Sequence, residues 1–285
     1  MSKILVTGAN GQLGSEIRHI STDFPYEFIF TGVAELDITD REAVRRFFEK
    51  NSLNVVVNCA AYTAVDRAET DSVAADKVNH LAVKYLAEAA KEFGVKLIQV
   101  STDYVFDGEA FQPYSEDATP NPQGVYGATK LAGEQALLET MVPDSIVIRT
   151  SWVYSIYGNN FVKTMRRLGA ERSELNVVAD QVGTPTNARD LARCILDIVP
   201  ILKNSRTELY HFSNEGVCSW YDFATAVMEL SDLNCRINPI PSSQYPTPVK
   251  RPFYSVLNKA KIKDAFGIEI SDWRTSLQRC LAELT

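Results

Sequence analysis

A chain of 285 residues, 45% of them apolar, can bury a sizeable core yet is short for two independent domains, so one large domain carrying a smaller lobe is expected. The formal net charge of −7 and the scattered Lys and Arg exclude nucleic acid and anionic membrane as main partners, since both need clustered cations. Five cysteines without a CxxC pair suggest neither a disulfide framework nor zinc.

The chain enters an apolar run, KILVTG, after two residues, leaving no room for a signal peptide. No apolar stretch is long enough to span a bilayer, and a cytoplasmic location is expected. Apolar runs then alternate with helix-patterned segments: a helix from about Gln12, EFIFTG, a helix from about Asp40, NVVVNCA, and a helix from about Ser72. KLIQVST, a helix from about Val125 and SIVIRTS follow. These strand runs are apolar throughout instead of alternating, the pattern of parallel strands covered on both faces. The prediction is an α/β fold with a doubly wound, Rossmann-like parallel sheet over residues 1–150. Residues 151–285 are richer in turns (SIYGNN, DQVGTPTN, PIPSSQYPTPVKRP) and read as a smaller substrate-binding portion. Helix-like stretches from Asn187 and from Ser219 pack on the sheet in this reading, and a segment of about 187–214 returns to it.

Gly8, Gly11 and Gly14 form GxxGxxG at the end of the first strand. Without side chains they permit a tight turn and let a pyrophosphate reach backbone N–H groups at the positive end of a helix. A glycine triplet also suits a plain strand-to-helix turn, but its place after the first strand favours a dinucleotide. The second strand should end near Thr31 and Gly32, where an acid would read the ribose hydroxyls or an Arg a 2′-phosphate. Neither stands there. Asp37 and Ile38 can reach the adenosine, Glu35 serves equally well as a solvated loop acid, and the choice between NADH and NADPH stays open.

Tyr126 and Lys130 lie four apart on a predicted helix, hence on one face. Thr102 closes the fourth strand in the STD of Ser101 to Asp103, at the edge where such sheets place ligands. Hydride delivery to a carbonyl carbon puts negative charge on the oxygen, which needs a proton donor and a second hydrogen bond. Tyr126 suits the first task and Thr102 the second. Lowering a tyrosine from about 10 to near 7 takes roughly 4 kcal/mol of preferential phenolate stabilisation, which a close ammonium such as that of Lys130 supplies.

The segments VTGANGQLG, VVNCAAYTAVDRAE, STDYVFDG, YGATKLAGE, RTSWVY, GNNFVKTM, DQVGTPT and YPTPVKRP span the chain from the first strand to residue 252. In these the chain resembles the extended short-chain dehydrogenase/reductase family, and within it the reductases of dTDP-linked 4-keto-6-deoxysugars. The resemblance implies NAD(P)H-dependent reduction of the 4-keto group of dTDP-6-deoxy-L-lyxo-4-hexulose to dTDP-L-rhamnose. It places the turn Gly8, Asn10, Gly11, Gln12, Leu13 and Gly14 on the cofactor, with Gly11, Gln12 and Leu13 at its pyrophosphate. Asp37 and Ile38 fall near adenine, and Ala60, Ala61, Tyr62 and Thr63 lie along the cofactor, which Tyr126 and Lys130 also touch. Thr102, Tyr126 and Lys130 take the catalytic roles, and Thr102, Asp103 and Trp152 face the sugar, the indole as a flat apolar wall. Asn159, Asn160 and Arg251 are candidates for the diphosphate, with loop capping as an equal alternative for the two Asn.

Related 4,6-dehydratases carry an acid after the Thr-Asp pair, whereas Tyr104 stands here, favouring simple reduction. Other nucleotide-sugar epimerases or reductases are the nearest alternative. A non-catalytic subunit resembling the regulatory partner of methionine adenosyltransferase is another, although it would not require an intact Thr-Tyr-Lys trio. The family also includes magnesium-associated members, and a homodimer is compatible with it. No compact carboxylate set names metal ligands here, Glu16 being the one acid to watch and reading more simply as a first-turn helix acid.

Overall fold

The computed structural model describes residues 2–284. Strands β1 (Ser2–Thr7), β2 (Tyr26–Thr31), β3 (Val55–Asn58), β4 (Lys96–Thr102) and β5 (Ile146–Thr150) share one sheet with a sixth strand, Glu208–His211. The order is sixth, β5, β4, β3, β1, β2, with every neighbouring pair parallel. Side chains alternate across a strand, so Ile4 and Val6 of β1 enter the core on one face and Leu5 enters that on the other. Both faces are covered, which is why β3 and β5 are buried along their whole length.

Helices α1 (Gln12–Ile20), α2 (Arg41–Asn51), α3 (Val65–Ala68), α4 (Ser72–Asp76), α5 (Ala82–Phe93) and α6 (Val125–Thr140) fill the connections of the first half. The second half adds α7 (Phe161–Glu171), α8 (Ala188–Ile198), α9 (Trp220–Leu230), α10 (Ala260–Phe266) and α11 (Trp273–Ala282). Ile17 of α1 and Leu191 and Ile195 of α8 cover one face of the sheet. Val44 and Phe48 of α2, Leu86 of α5 and Leu137 of α6 cover the other. A separate core around Tyr154, Phe223 and Leu277 joins α7, α9 and α11 to a parallel ribbon of Glu174–Val178 and Arg236–Ile240.

The chain thus leaves the sheet after β5, returns for α8 and the sixth strand, and leaves again to complete the lobe. β2 lies on one side of β1 and β3 on the other, so the strand order reverses between β1 and β3. A doubly wound sheet opens its ligand crevice at such a reversal, beyond the carboxyl ends of the strands.

Candidate active site

Two of the three glycines in the first turn are needed by the protein itself. At Gly8, with φ +61°, a Cβ would come within 2.6 Å of the Ala60 backbone, and at Gly14 within 2.6 Å of the Gly8 carbonyl oxygen. Gly11 differs: it is exposed, and a Cβ there would meet only the Gly8 oxygen, at 3.3 Å. It precedes α1 as an N-cap without a side-chain cap, leaving the first-turn N–H groups to a ligand or water. This bare helix start fits the pyrophosphate of a dinucleotide. Asn10 is exposed, Leu13 is buried, and Gln12 Oε1 accepts a hydrogen bond from Asn160 Nδ2 at 3.0 Å.

At the end of β2, the Gly32 N–H donates to Glu35 Oε2 at 2.7 Å, folding that carboxylate back onto the strand terminus instead of leaving it loose in solvent. Asp37 is exposed and accepts from Thr39 N and Oγ1 at 2.9 and 2.7 Å, shaping its own loop, while Ile38 is buried. Past β3, Ala60 N donates to Asn58 Oδ1 at 3.2 Å. Asn79 then holds the next segment at both backbone ends, accepting from Tyr62 N at 2.9 Å and donating to Tyr62 O at 3.1 Å. The Tyr62 hydroxyl donates to Asp71 at 3.1 Å, and Thr63 is exposed.

Thr102, Tyr126 and Lys130 meet where β4 ends and α6 begins. Thr102 Oγ1 donates to Asp103 Oδ1 at 2.9 Å and accepts from Tyr104 N at 3.2 Å, and Thr102 lies near enough to the Tyr126 phenol to act on its pKa. One turn along α6, Lys130 is buried and donates to the Val100 carbonyl of β4 at 2.6 Å. Burial pushes Tyr126 up to about 12, opposed by Thr102. Burial likewise lowers Lys130 to about 8, opposed by Glu134. Burial sets the rise of the phenol, and the Lys130 ammonium is directed at the Val100 carbonyl. Asp103, 4% exposed, is pushed up to about 7 by burial against the Thr102 hydrogen bond.

On the lobe side, Trp152 has φ +48°, a rare conformation for a bulky residue, and stacks on Trp220 with centroids 3.7 Å apart and planes 11° off parallel. A Cβ on Gly183 would strike its indole at 2.7 Å, so Trp152 is one half of a clamped pair and not a free-standing wall. Asn159 is exposed, whereas Asn160 is spent on capping: its Oδ1 accepts from Lys163 N at 3.1 Å, and its Nδ2 donates to Gln12 and to Ser155 O. The structure thus makes it a bridge from α7 to the glycine turn. Arg251 Nη2 donates to Asp66 Oδ2 at 2.6 Å, and its Nη1 is buried without a partner.

A family model described as "RmlD substrate binding domain" matches residues 2–285. A dTDP-4-dehydrorhamnose reductase of Aggregatibacter actinomycetemcomitans is 42% identical, with 99% of each chain covered. The crystal structure of a dTDP-4-dehydrorhamnose reductase from Clostridium acetobutylicum superposes with a TM-score of 0.93 at 44% identity, covering 99% of each chain. That of the Bacillus anthracis dTDP-4-dehydrorhamnose reductase in complex with NADP does so with a TM-score of 0.94 at 36% identity, covering 99% of this chain and all of the other. This chain belongs to the dTDP-4-dehydrorhamnose reductase family.

Several residues that support a reductase site here escaped the sequence reading. Asn79 lies on a single π-turn between α4 and α5, where an extra residue per turn breaks the helical period. Glu69 accepts from the Val125 N–H at 2.7 Å and caps α6, which has no side-chain cap of its own. Trp220 and Asp66 matter only through the partners just described, and no local pattern marks them. Glu16, a first-turn acid by sequence, is 1% exposed; it accepts from Ser155 Oγ at 2.6 Å and Arg189 Nε at 2.8 Å, and so ties α1 to the lobe. Among the described residues no group of three or more His, Cys, Asp or Glu could hold a metal ion, and no helix is long and apolar enough to cross a membrane.

Proposed function

We propose that this chain reduces the 4-keto group of dTDP-6-deoxy-L-lyxo-4-hexulose to dTDP-L-rhamnose with NADPH, Tyr126 giving the proton. The observation that carries the reading is the convergence of Thr102, Tyr126 and buried Lys130 where β4 ends and α6 begins, beside a glycine turn bare enough for a pyrophosphate. Relatives at about 40% identity that share this activity support it. NADPH, when bound, supplies the hydride that adds to C4.

The remaining work falls to the chain. Burial keeps Tyr126 protonated across the neutral range, the form a reduction needs. Thr102 holds the developing oxyanion, and Lys130 contributes its positive charge one turn away. Gly11, Gln12 and Leu13 take the pyrophosphate, Asp37 and Ile38 border the adenosine, and Ala60 to Thr63 line the path between. The Trp152–Trp220 pair packs against the sugar, and the unpartnered Nη1 of Arg251 turns to the diphosphate. We place the reaction in the cytoplasm, where the five free cysteines stay reduced. Purified protein should oxidise NADPH only when the 4-keto sugar nucleotide is added; no turnover with NADPH or NADH would overturn the assignment.

A further inference from the structure

Along the chain, β2 ends on Thr31 and Gly32 without an acid, yet the fold returns one to that place. The Leu36 N–H donates to the Gly32 carbonyl at 3.0 Å, and this turn carries Glu35 back over the strand end. Glu35 Oε2 accepts from the Gly32 N–H at 2.7 Å and would lie 3.2 Å from a Cβ built on Gly32. The carboxylate thus occupies the space where a strand-terminal side chain would begin. Asn10 Nδ2, from the glycine turn, comes within 2.9 Å of the same point. The Ala9 N–H donates to the Thr31 carbonyl at 3.1 Å and pins that turn to the end of β2. Glu35 is exposed, and among the described residues its one partner is the Gly32 N–H, so its Oε1 is free. The neighbouring cations are engaged elsewhere: Arg18 of α1 lies over the Phe30 ring, and Arg41, which opens α2, pairs with Glu88.

We propose that Glu35 reads the adenosine ribose of the cofactor, accepting from its 2′-hydroxyl, and so makes this chain hold NADH more tightly than NADPH. The proposal rests on the reading of the glycine turn as the pyrophosphate site. NADPH remains a hydride donor at the same trio but is held less firmly. In a doubly wound fold, a dinucleotide whose pyrophosphate lies on the first helix brings its adenosine ribose to the end of the second strand. There Glu35 presents one oxygen fixed by the Gly32 N–H and another free to accept from a hydroxyl. A phosphate monoester carries about −1.5 to −2 charge near neutral pH, so a 2′-phosphate in this position is repelled by the carboxylate. The amide of Asn10 is neutral and leaves that repulsion in place.

The test is Glu35→Gln, which keeps an oxygen to accept from the Gly32 N–H, and with it the turn, but removes the charge. NADH and NADPH are titrated by fluorescence into the native chain and the variant. Bound NADH is then displaced with 5′-AMP and with 2′,5′-ADP, which differ only by the 2′-phosphate. The native chain should bind NADH about tenfold more tightly than NADPH at low salt, and the gap should narrow as ionic strength rises, because an exposed charge is screened. Glu35→Gln should bring the two cofactors within about threefold of each other, chiefly by tightening NADPH, and should remove the salt dependence of their ratio. Glu35→Lys should reverse the order, and the two adenosine phosphates should follow the same pattern. A native chain that binds NADPH as tightly as NADH, or a ratio unmoved by Glu35→Gln, overturns the assignment. A Glu35→Gln chain in which both affinities fall together does so too, since Glu35 would then only hold its own turn. Failure of the underlying reading looks different: neither dinucleotide would bind the native chain, and the inference would fall with it.

Discussion

Gly127 presses against Tyr104: a Cβ on Gly127 would lie 2.1 Å from the Tyr104 carbonyl oxygen. This contact sets α6 directly on the turn that follows β4, so the helix carrying Tyr126 and Lys130 and the strand carrying Thr102 are spaced backbone to backbone. Gly127→Ala should therefore lower stability by about 1–3 kcal/mol and cut kcat more than it weakens cofactor binding. Urea unfolding and NADP titration check the two effects separately, and a neutral result in both would show that the helix can shift without cost.

Tyr126→Phe should lower kcat by about two to four orders of magnitude while NADPH affinity stays within a few-fold, because it removes a proton used only in the reacting geometry. Steady-state kinetics beside cofactor titration read this split. A loss confined to KM would assign Tyr126 to substrate binding alone.

Glu134 and Arg149 are paired with almost no exposure, 1% and 3%, with Nη2 to Oε2 at 2.6 Å and Nε to Oε1 at 3.0 Å. Glu134→Gln leaves a buried guanidinium uncompensated and should cost about 3–5 kcal/mol. Replacing both, as Glu134→Leu with Arg149→Met, should recover much of that loss. A double-mutant cycle on unfolding free energies measures it, and additive costs would mean the pair is not coupled.

His211 is fully buried, its Nδ1 bonded to the Tyr114 carbonyl at 3.1 Å, and burial lowers it to about 3, assisted by the nearby Arg149 charge. Its folded value is depressed below the unfolded 6.5, so between these limits the unfolded chain binds a proton that the folded chain refuses. Stability from this group is full above about pH 6.5 and falls by up to about 1.4 kcal/mol per unit as pH drops toward 3. His211→Gln should flatten that part of the curve, and an unchanged acid slope would remove His211 as its source.

The strands were legible because burial on both faces writes itself as an unbroken apolar run, and VVVN and IVIRT are buried at every position. The pairing of Tyr126 with Lys130 was legible because a helix fixes i, i+4 neighbours whatever surrounds it, so the two had to share a face. Asn79 was hidden by the opposite circumstance, a π-turn whose partners, Tyr62 and Thr129, lie 17 and 50 residues away. Asn160 shows the boundary between the two: its capping of α7 follows from local geometry, but its grip on Gln12, 148 residues distant, does not.

The sequence by itself determined the sheet, the glycine turn and the helix bearing Tyr126 and Lys130, because periodicity and backbone freedom are properties of neighbouring residues. Tertiary structure alone decided how the side chains are employed. It turned Glu16 from a helix-start acid into a buried partner of Arg189, 173 residues on, clamped Trp152 against Trp220, and enclosed Asp103 beside Thr102. The physical reason is that charge, hydrogen bonding and burial depend on whatever lies within a few ångströms in space, and only the folded chain brings those groups together.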